Sequence, residues 1–173
     1  PKDPEELAAL LRAADAMGYP RVILGAGTNV LAPDDGIFGL VICLKDALDG
    51  MEILSDHRIR VMAGVTMTRA AIFAANHGLA GMEFAHGIPG TVGGGVYMNA
   101  GAYGGEICQI CESVDVMDMQ GKVKTLGCSE MNFSYRHSCL EDDGGIVISS
   151  VFSLQPGDPE KIKEKMRELQ AKR

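Results

Sequence analysis

Leu7, Leu10, Leu11 and Ala14 recur every three to four positions near the start of the chain, with charged residues between them. That period predicts an amphipathic helix. Asp3 is placed to cap it, Pro4 takes the first helical position, Glu6 supplies a capping-box acid, and Gly18 and Pro20 end it. Apolar runs at 21–24 and 40–44 then read as strands. The first ~50 residues therefore form an α/β unit whose loop 25–29 lies at a strand end, where such sheets hold ligands.

From Met51 the pattern changes to short alternating segments. Residues 51–54 and 59–63 predict strands, and 66–77 a helix stopped by Gly78. Segments 113–119 and 122–126 flank Gln120-Gly121 as a hairpin, and 146–154 reads as a further apolar strand. Asp158 and Pro159 open a lysine-rich terminal helix, whose charges predict a solvated face and not a binding patch. The expected division is a first subdomain at 1–47 and a second at 48–173.

Two segments fit neither period. One is GIPGTVGGGVYMNAGAYG at 87–104, and the other is LGAGTNVL at 24–31. Glycine is costly to order and brings no side chain to bury, so such runs are not expected as ordinary core elements. They predict main chain that something approaches closely. Two separated cradles of this kind point to a large, phosphate-bearing ligand gripped at two places.

Charge narrows the partners. Sixteen Lys+Arg against 23 Asp+Glu give a net charge of −7, which argues against nucleic acid or an anionic membrane as the main partner. Without an apolar run long enough to span a bilayer or a charged-then-apolar leader, the expectation is a soluble cytoplasmic protein. The five cysteines are odd in number, and the Cys108-Cys111 CxxC lacks a second ligand pair, so reduced thiols and no metal site are expected. His57 falls in a polar turn and His77 near a helix end, while His86 and His137, beside the candidate chemistry, read as structural or solvent-facing.

LGAGTNVL, the block AGVTMTRAAIFAANHGLAGMEFAHGIPGTVGGGVYMNAGAYGGEI, and FSYRHS at 133–138 together resemble the UDP-N-acetylenolpyruvoylglucosamine reductase family over nearly the whole chain. The middle block is highly specific, whereas small-residue loops like the first occur in many FAD-binding folds. The resemblance implies an α+β, two-subdomain FAD-binding fold of the vanillyl-alcohol oxidase/PCMH type. A small α/β subdomain would precede a larger mixed one with mainly antiparallel strands.

The same resemblance implies that Gly25, Ala26, Gly27, Thr28, Asn29, Val30 and Leu31 wrap the FAD pyrophosphate. Ala26 often corresponds to glycine in the family, so a methyl has to be accommodated there. Pro89, Gly90, Thr91, Gly93, Gly94, Asn99, Gly101 and Ala102 would form the second FAD-binding stretch, continuing past Tyr103. Tyr135 and Arg136 match the catalytic pair, Arg136 stabilising negative charge on the substrate carboxylate. On its own Arg136 would read as a surface arginine.

The implied reaction is NADPH-dependent, FAD-mediated reduction of a UDP-sugar, UDP-N-acetylglucosamine enolpyruvate, to UDP-N-acetylmuramate in peptidoglycan precursor synthesis. Family members carry a later substrate-binding domain with a proton-donating serine and an assisting glutamate, and neither stretch occurs in this sequence. A flavin-binding portion of a longer enzyme, unable to complete turnover alone, is therefore expected. The alternatives are another FAD-dependent oxidoreductase of the same fold and a non-catalytic FAD or nucleotide-binding module.

Overall fold

The computed structural model describes residues 1–55 and 57–173. Helix α1 (Pro4–Ala16) forms as its signals dictate: Asp3 Oδ1 accepts from the Glu6 amide at 2.7 Å, and Leu7, Ala8, Leu11 and Ala14 face inward. The Glu6 carboxylate reaches back one residue beyond the expected capping box, accepting from the Lys2 amide. Strands β1 (Arg21–Leu24) and β2 (Leu40–Cys43) then pair in parallel, Arg21 opposite Leu40 and Leu24 opposite Cys43. Parallel strands need a crossover of about a dozen residues or more. Residues 25–39 supply it, which sets the first glycine segment at the carboxyl end of β1.

The rest of the chain is built on an antiparallel sheet. In sequence come β3 (Met51–Ile53), β4 (Arg58–Met62), α2 (Met67–Asn76), β5 (Leu79–Ala80), α3 (Val92–Tyr97), β6 (Gly101–Ala102), β7 (Gly105–Glu106), β8 (Cys111–Met117) and β9 (Val123–Gly127). They are followed by α4 (Cys139–Asp143), β10 (Ile146–Ser153), β11 (Gln155–Pro156) and α5 (Pro159–Ala171). The main sheet runs β3-β4-β10-β8-β9. Its central strand β10 is buried at every position except Ser153, so both of its faces are covered. Asp115 laces this sheet, accepting from Ser149 on one neighbour and Thr125 on the other, each at 2.7 Å.

The expected hairpin closes between β8 and β9. Asp118 Oδ1 accepts from the Gln120 and Lys122 amides, and Gly121 turns the chain at φ +86°. A Cβ on Gly121 would lie 2.7 Å from the Ala8 Cβ, so the turn packs directly on α1. Apolar packing is continuous: Leu7, Leu11, Ile42 and Leu44 share one cluster with Ile59, Val61, Val96 and Phe152. Helix α5 covers α2 with Ile162, Met166 and Leu169 and leaves its charges outside.

One expectation is corrected. Part of the glycine-rich run is a core element after all, because VGGGVY folds as α3, with Val92 and Val96 fully buried against β10 and β4. Glycine is a poor helix former, and the helix exists because tertiary packing requires it. A Cβ on Gly93 would sit 2.9 Å from the Ala63 Cβ, and one on Gly95 2.7 Å from Met67 Sδ. Gly94 differs, meeting only Thr91 Oγ1 at 3.8 Å.

Urea denaturation separates these roles. Gly93→Ala should lose about 1–3 kcal/mol by overpacking, whereas Gly94→Ala should keep or slightly raise stability because alanine favours helix by about 1 kcal/mol. Equal destabilisation by the two substitutions would contradict this assignment.

Candidate cofactor site

The two glycine segments meet. Thr28 Oγ1 donates to the Pro89 carbonyl at 3.2 Å. A Cβ on Gly25 would lie 2.5 Å from Thr91 Oγ1, and one on Gly90 3.3 Å from Thr28 Oγ1. The absence of a side chain at Gly25 is thus used by Thr91, which is 2% exposed and caps α3 by accepting from the Gly94 amide. An isolated antiparallel bridge joins Thr91 to Thr66, the cap of α2.

Between the segments lies a cleft of about 520 Å³, within the ~300–1,000 Å³ usual for cofactor sites. Gly25, Ala26, Gly27, Thr28, Asn29 and Val30 line it together with Pro89, Gly90, Thr91, Gly93 and Gly94. The Ala26 methyl is accommodated at this lining, where the residue is half-buried. Leu31 lies outside it and is 97% exposed. Asn99, Gly101 and Ala102 are also absent from the cleft lining; they line an adjoining cavity of about 170 Å³ with Glu106 and Tyr135. Arg136 borders both spaces.

The sequence reading missed the apolar floor: Ile23, Leu44, Ala63, Met67, Met98, Ile146 and Val147. A signal for the last two was present in Gly144-Gly145. Gly145 adopts φ +127°, and a Cβ there would lie 2.7 Å from Val116, so β10 enters the cleft wall through a close backbone approach.

The site has the donors an FAD pyrophosphate requires. Among the described residues, the main-chain amides of 25–30, Gly90 and Thr91 donate to no protein acceptor. Neither cradle contains a carboxylate. Amides in a tight turn bind phosphate oxygens, Thr28 and Asn29 add side-chain donors, and the apolar floor suits a flat ring system. The residues present therefore fit the cofactor.

Arg136 sits on the tip of a short loop. Ser134 and His137 exchange main-chain hydrogen bonds at 3.1 and 3.3 Å, and Arg136 between them takes a left-handed φ of +56°. Its Nη2 donates to the Gly101 carbonyl at 3.2 Å, and its guanidinium carbon is 5.8 Å from the Tyr135 ring centre. Tyr135 itself is 85% exposed. One guanidinium donor is used, so the others are available to an anionic ligand. Both ring nitrogens of His137 approach carboxylates, Glu141 at 3.0 Å and Asp142 at 3.1 Å, bracing the loop against α4.

Burial, then the Glu141 and Asp142 charges, push the Tyr97 hydroxyl up, so it is a neutral group on the cleft wall. Burial likewise raises the Cys108 thiol, and pushes Cys111 up to about 12. The CxxC is thus a pair of protonated thiols. Among the described residues no cluster of three or more His, Cys, Asp or Glu is arranged to hold a metal.

A UDP-N-acetylenolpyruvoylglucosamine reductase from Lactobacillus helveticus is 46% identical over 173 residues, covering 100% of this chain and 57% of its own length. The crystal structure of a UDP-N-acetylenolpyruvylglucosamine reductase from Thermus caldophilus superposes with a TM-score of 0.79 at 33% identity, covering 99% of this chain and 60% of that one. The chain therefore spans somewhat more than half of the relatives it matches.

A 6-hydroxy-D-nicotine oxidase from Arthrobacter nicotinovorans gives a TM-score of 0.70 at 17% identity over 90% of this chain and 35% of its own, a likeness of fold alone. The α+β fold is the FAD-binding fold of vanillyl-alcohol oxidase/PCMH type expected from the sequence. The family profile described as "FAD binding domain" matches residues 1–127, and the chain belongs to that family.

Proposed function

We propose that these residues are the flavin-holding part of a UDP-N-acetylenolpyruvoylglucosamine reductase, which uses NADPH to reduce UDP-N-acetylglucosamine enolpyruvate to UDP-N-acetylmuramate for peptidoglycan precursors. The observation that carries this reading is the Thr28–Pro89 junction, which makes one donor-rich cleft of two cradles with Arg136 at its edge. Similarity to reductases along the whole chain favours this substrate over that of an oxidase. Residues 1–47 and 48–173 act as the two sides of the clamp, and the enzyme works in the cytoplasm on a soluble UDP-sugar. Among the described residues no helix is long and apolar enough to cross a membrane.

Bound FAD supplies the two-electron chemistry that links NADPH to the enolpyruvyl double bond. The amides of 25–29, with Thr28 and Asn29, hold its pyrophosphate, while Pro89, Gly90, Thr91, Gly93 and Gly94 close the cleft from the other side. Arg136 binds the substrate carboxylate with two donors and stabilises the negative charge that develops there. Being permanently protonated, it does so without a proton of its own to give. The proton that completes the reaction comes from the serine of a further substrate-binding domain, assisted by its glutamate.

An absorbance spectrum of the purified chain, before and after added FAD, should show flavin bands that leave the protein on denaturation. Failure to take up FAD would contradict the proposal, and colour that stays with the denatured chain would favour a covalent flavin oxidase. With FAD and NADPH, the 173 residues alone should form no UDP-N-acetylmuramate. Robust turnover would refute the need for a proton donor elsewhere.

In the whole enzyme, Arg136→Ala should lower kcat about 100- to 1000-fold with FAD content unchanged, the usual cost of removing a transition-state donor. Near-normal kcat would remove Arg136 from the chemistry.

A further inference from the structure

We infer that Asn99 is the positioning residue of the loop that presents Arg136, and not a cofactor contact. This deepens the reading above and rests on its assignment of Arg136. Asn99 follows α3, is 2% exposed and holds a left-handed φ of +43°, a conformation that asparagine tolerates better than most residues. Its Nδ2 donates to Glu106 Oε2 and to the Ser134 carbonyl, both at 2.9 Å, and its Oδ1 accepts from the Cys108 amide at 2.9 Å.

Those contacts fix the orientation of the carboxamide. Reversed, it would set its oxygen against a carboxylate and a carbonyl and its nitrogen against an N–H. Both side-chain donor hydrogens are therefore committed within the protein. Asn99 also lies outside the cleft lining.

The Ser134 carbonyl immediately precedes Tyr135 and Arg136. On the other flank, Ser138, which is fully buried, donates its hydroxyl to the Tyr97 carbonyl at 2.5 Å. Both sides of the loop are thus tied to the carboxyl end of α3, the helix whose amino end carries Thr91 and touches the first cradle. Arg136 needs such a tether: it is exposed, its backbone is left-handed, and one hydrogen bond from a long flexible side chain would not fix its Cα. Hydrogen bonds anchored on two buried side chains, Asn99 and Ser138, give the required rigidity.

The test breaks one arm of the network at a time. Asn99→Asp keeps size, the acceptor for Cys108 and tolerance of positive φ, but loses both donors and faces Glu106 with a second carboxylate. Adding Glu106→Gln returns a donor to that arm, so N99D/E106Q leaves mainly the Ser134 arm cut. In the 173-residue chain, this double variant should exchange the Ser134 and His137 amides about tenfold faster, with the sheet amides unchanged.

In the whole reductase its kcat should fall about 10- to 100-fold, as expected for a displaced catalytic group. Combined with Arg136→Ala it should cost nothing further, because the two changes remove one function. Wild-type exchange at Ser134 and His137 would overturn the tether. Faster exchange with wild-type kcat, where Arg136→Ala is impaired, would overturn positioning while sparing the role of Arg136. Full activity of Arg136→Ala would overturn that role and, with it, the catalytic meaning of Asn99. If the double variant does not fold, Asn99→Gly, unstrained at positive φ, carries the same readouts with the same outcomes.

Discussion

The architecture depends on the close approach of two glycine-bearing segments that are far apart in sequence. Thr91 is the wedge between them. Its hydroxyl occupies the space that a side chain on Gly25 would claim, it caps α3, and its main chain bridges to Thr66, the cap of α2. With Thr28 bonded to Pro89, the arrangement leaves amides of both segments around one cleft without protein acceptors. Gly25, Ala26 and Gly90 are half-buried and Thr91 is buried, and shielded donors without partners cost free energy, so these four positions favour an acceptor supplied from outside.

A line of contacts runs from that junction to the proposed chemistry. Helix α3 starts at the cradle and ends near Tyr97, whose carbonyl receives Ser138, and Asn99 reaches the Ser134 carbonyl just beyond it. Arg136 is thereby placed relative to the cleft by the same helix that closes it. An acidic chain of net charge −7 could disfavour an anionic ligand, yet its carboxylates are kept out of both cradles. Near the loop, Glu106, Glu141 and Asp142 are occupied with Asn99 and His137.

Elements with local signals were legible in the sequence. Asp3 and Pro4 announced α1, Gln120-Gly121 the hairpin, and Asp158 and Pro159 the terminal helix, because caps and turns are decided by neighbours a few residues away. The first cradle was legible for the same reason, lying between two apolar strands. Helix α3 was not, since a run such as VGGGVY has little helical preference of its own and becomes helical only against Ala63, Met67 and β10. Gly93 carries a second constraint that its sequence does not show, since a side chain there would collide with Ala63 as well as border the cleft. The work of Asn99 was hidden for a related reason: its partner Ser134 is 35 residues away, and nothing local to NAGAYG points to it.

That both cradles grip one flavin dinucleotide is tested most directly by hydrogen exchange of the 173-residue chain with and without saturating FAD, alongside titration with riboflavin. Slowed exchange at the amides of 25–30 and also at Gly90 and Thr91, with FAD bound far more tightly than riboflavin, is the predicted result. Protection confined to one segment, or equal affinity for the two ligands, would contradict a shared grip on the pyrophosphate.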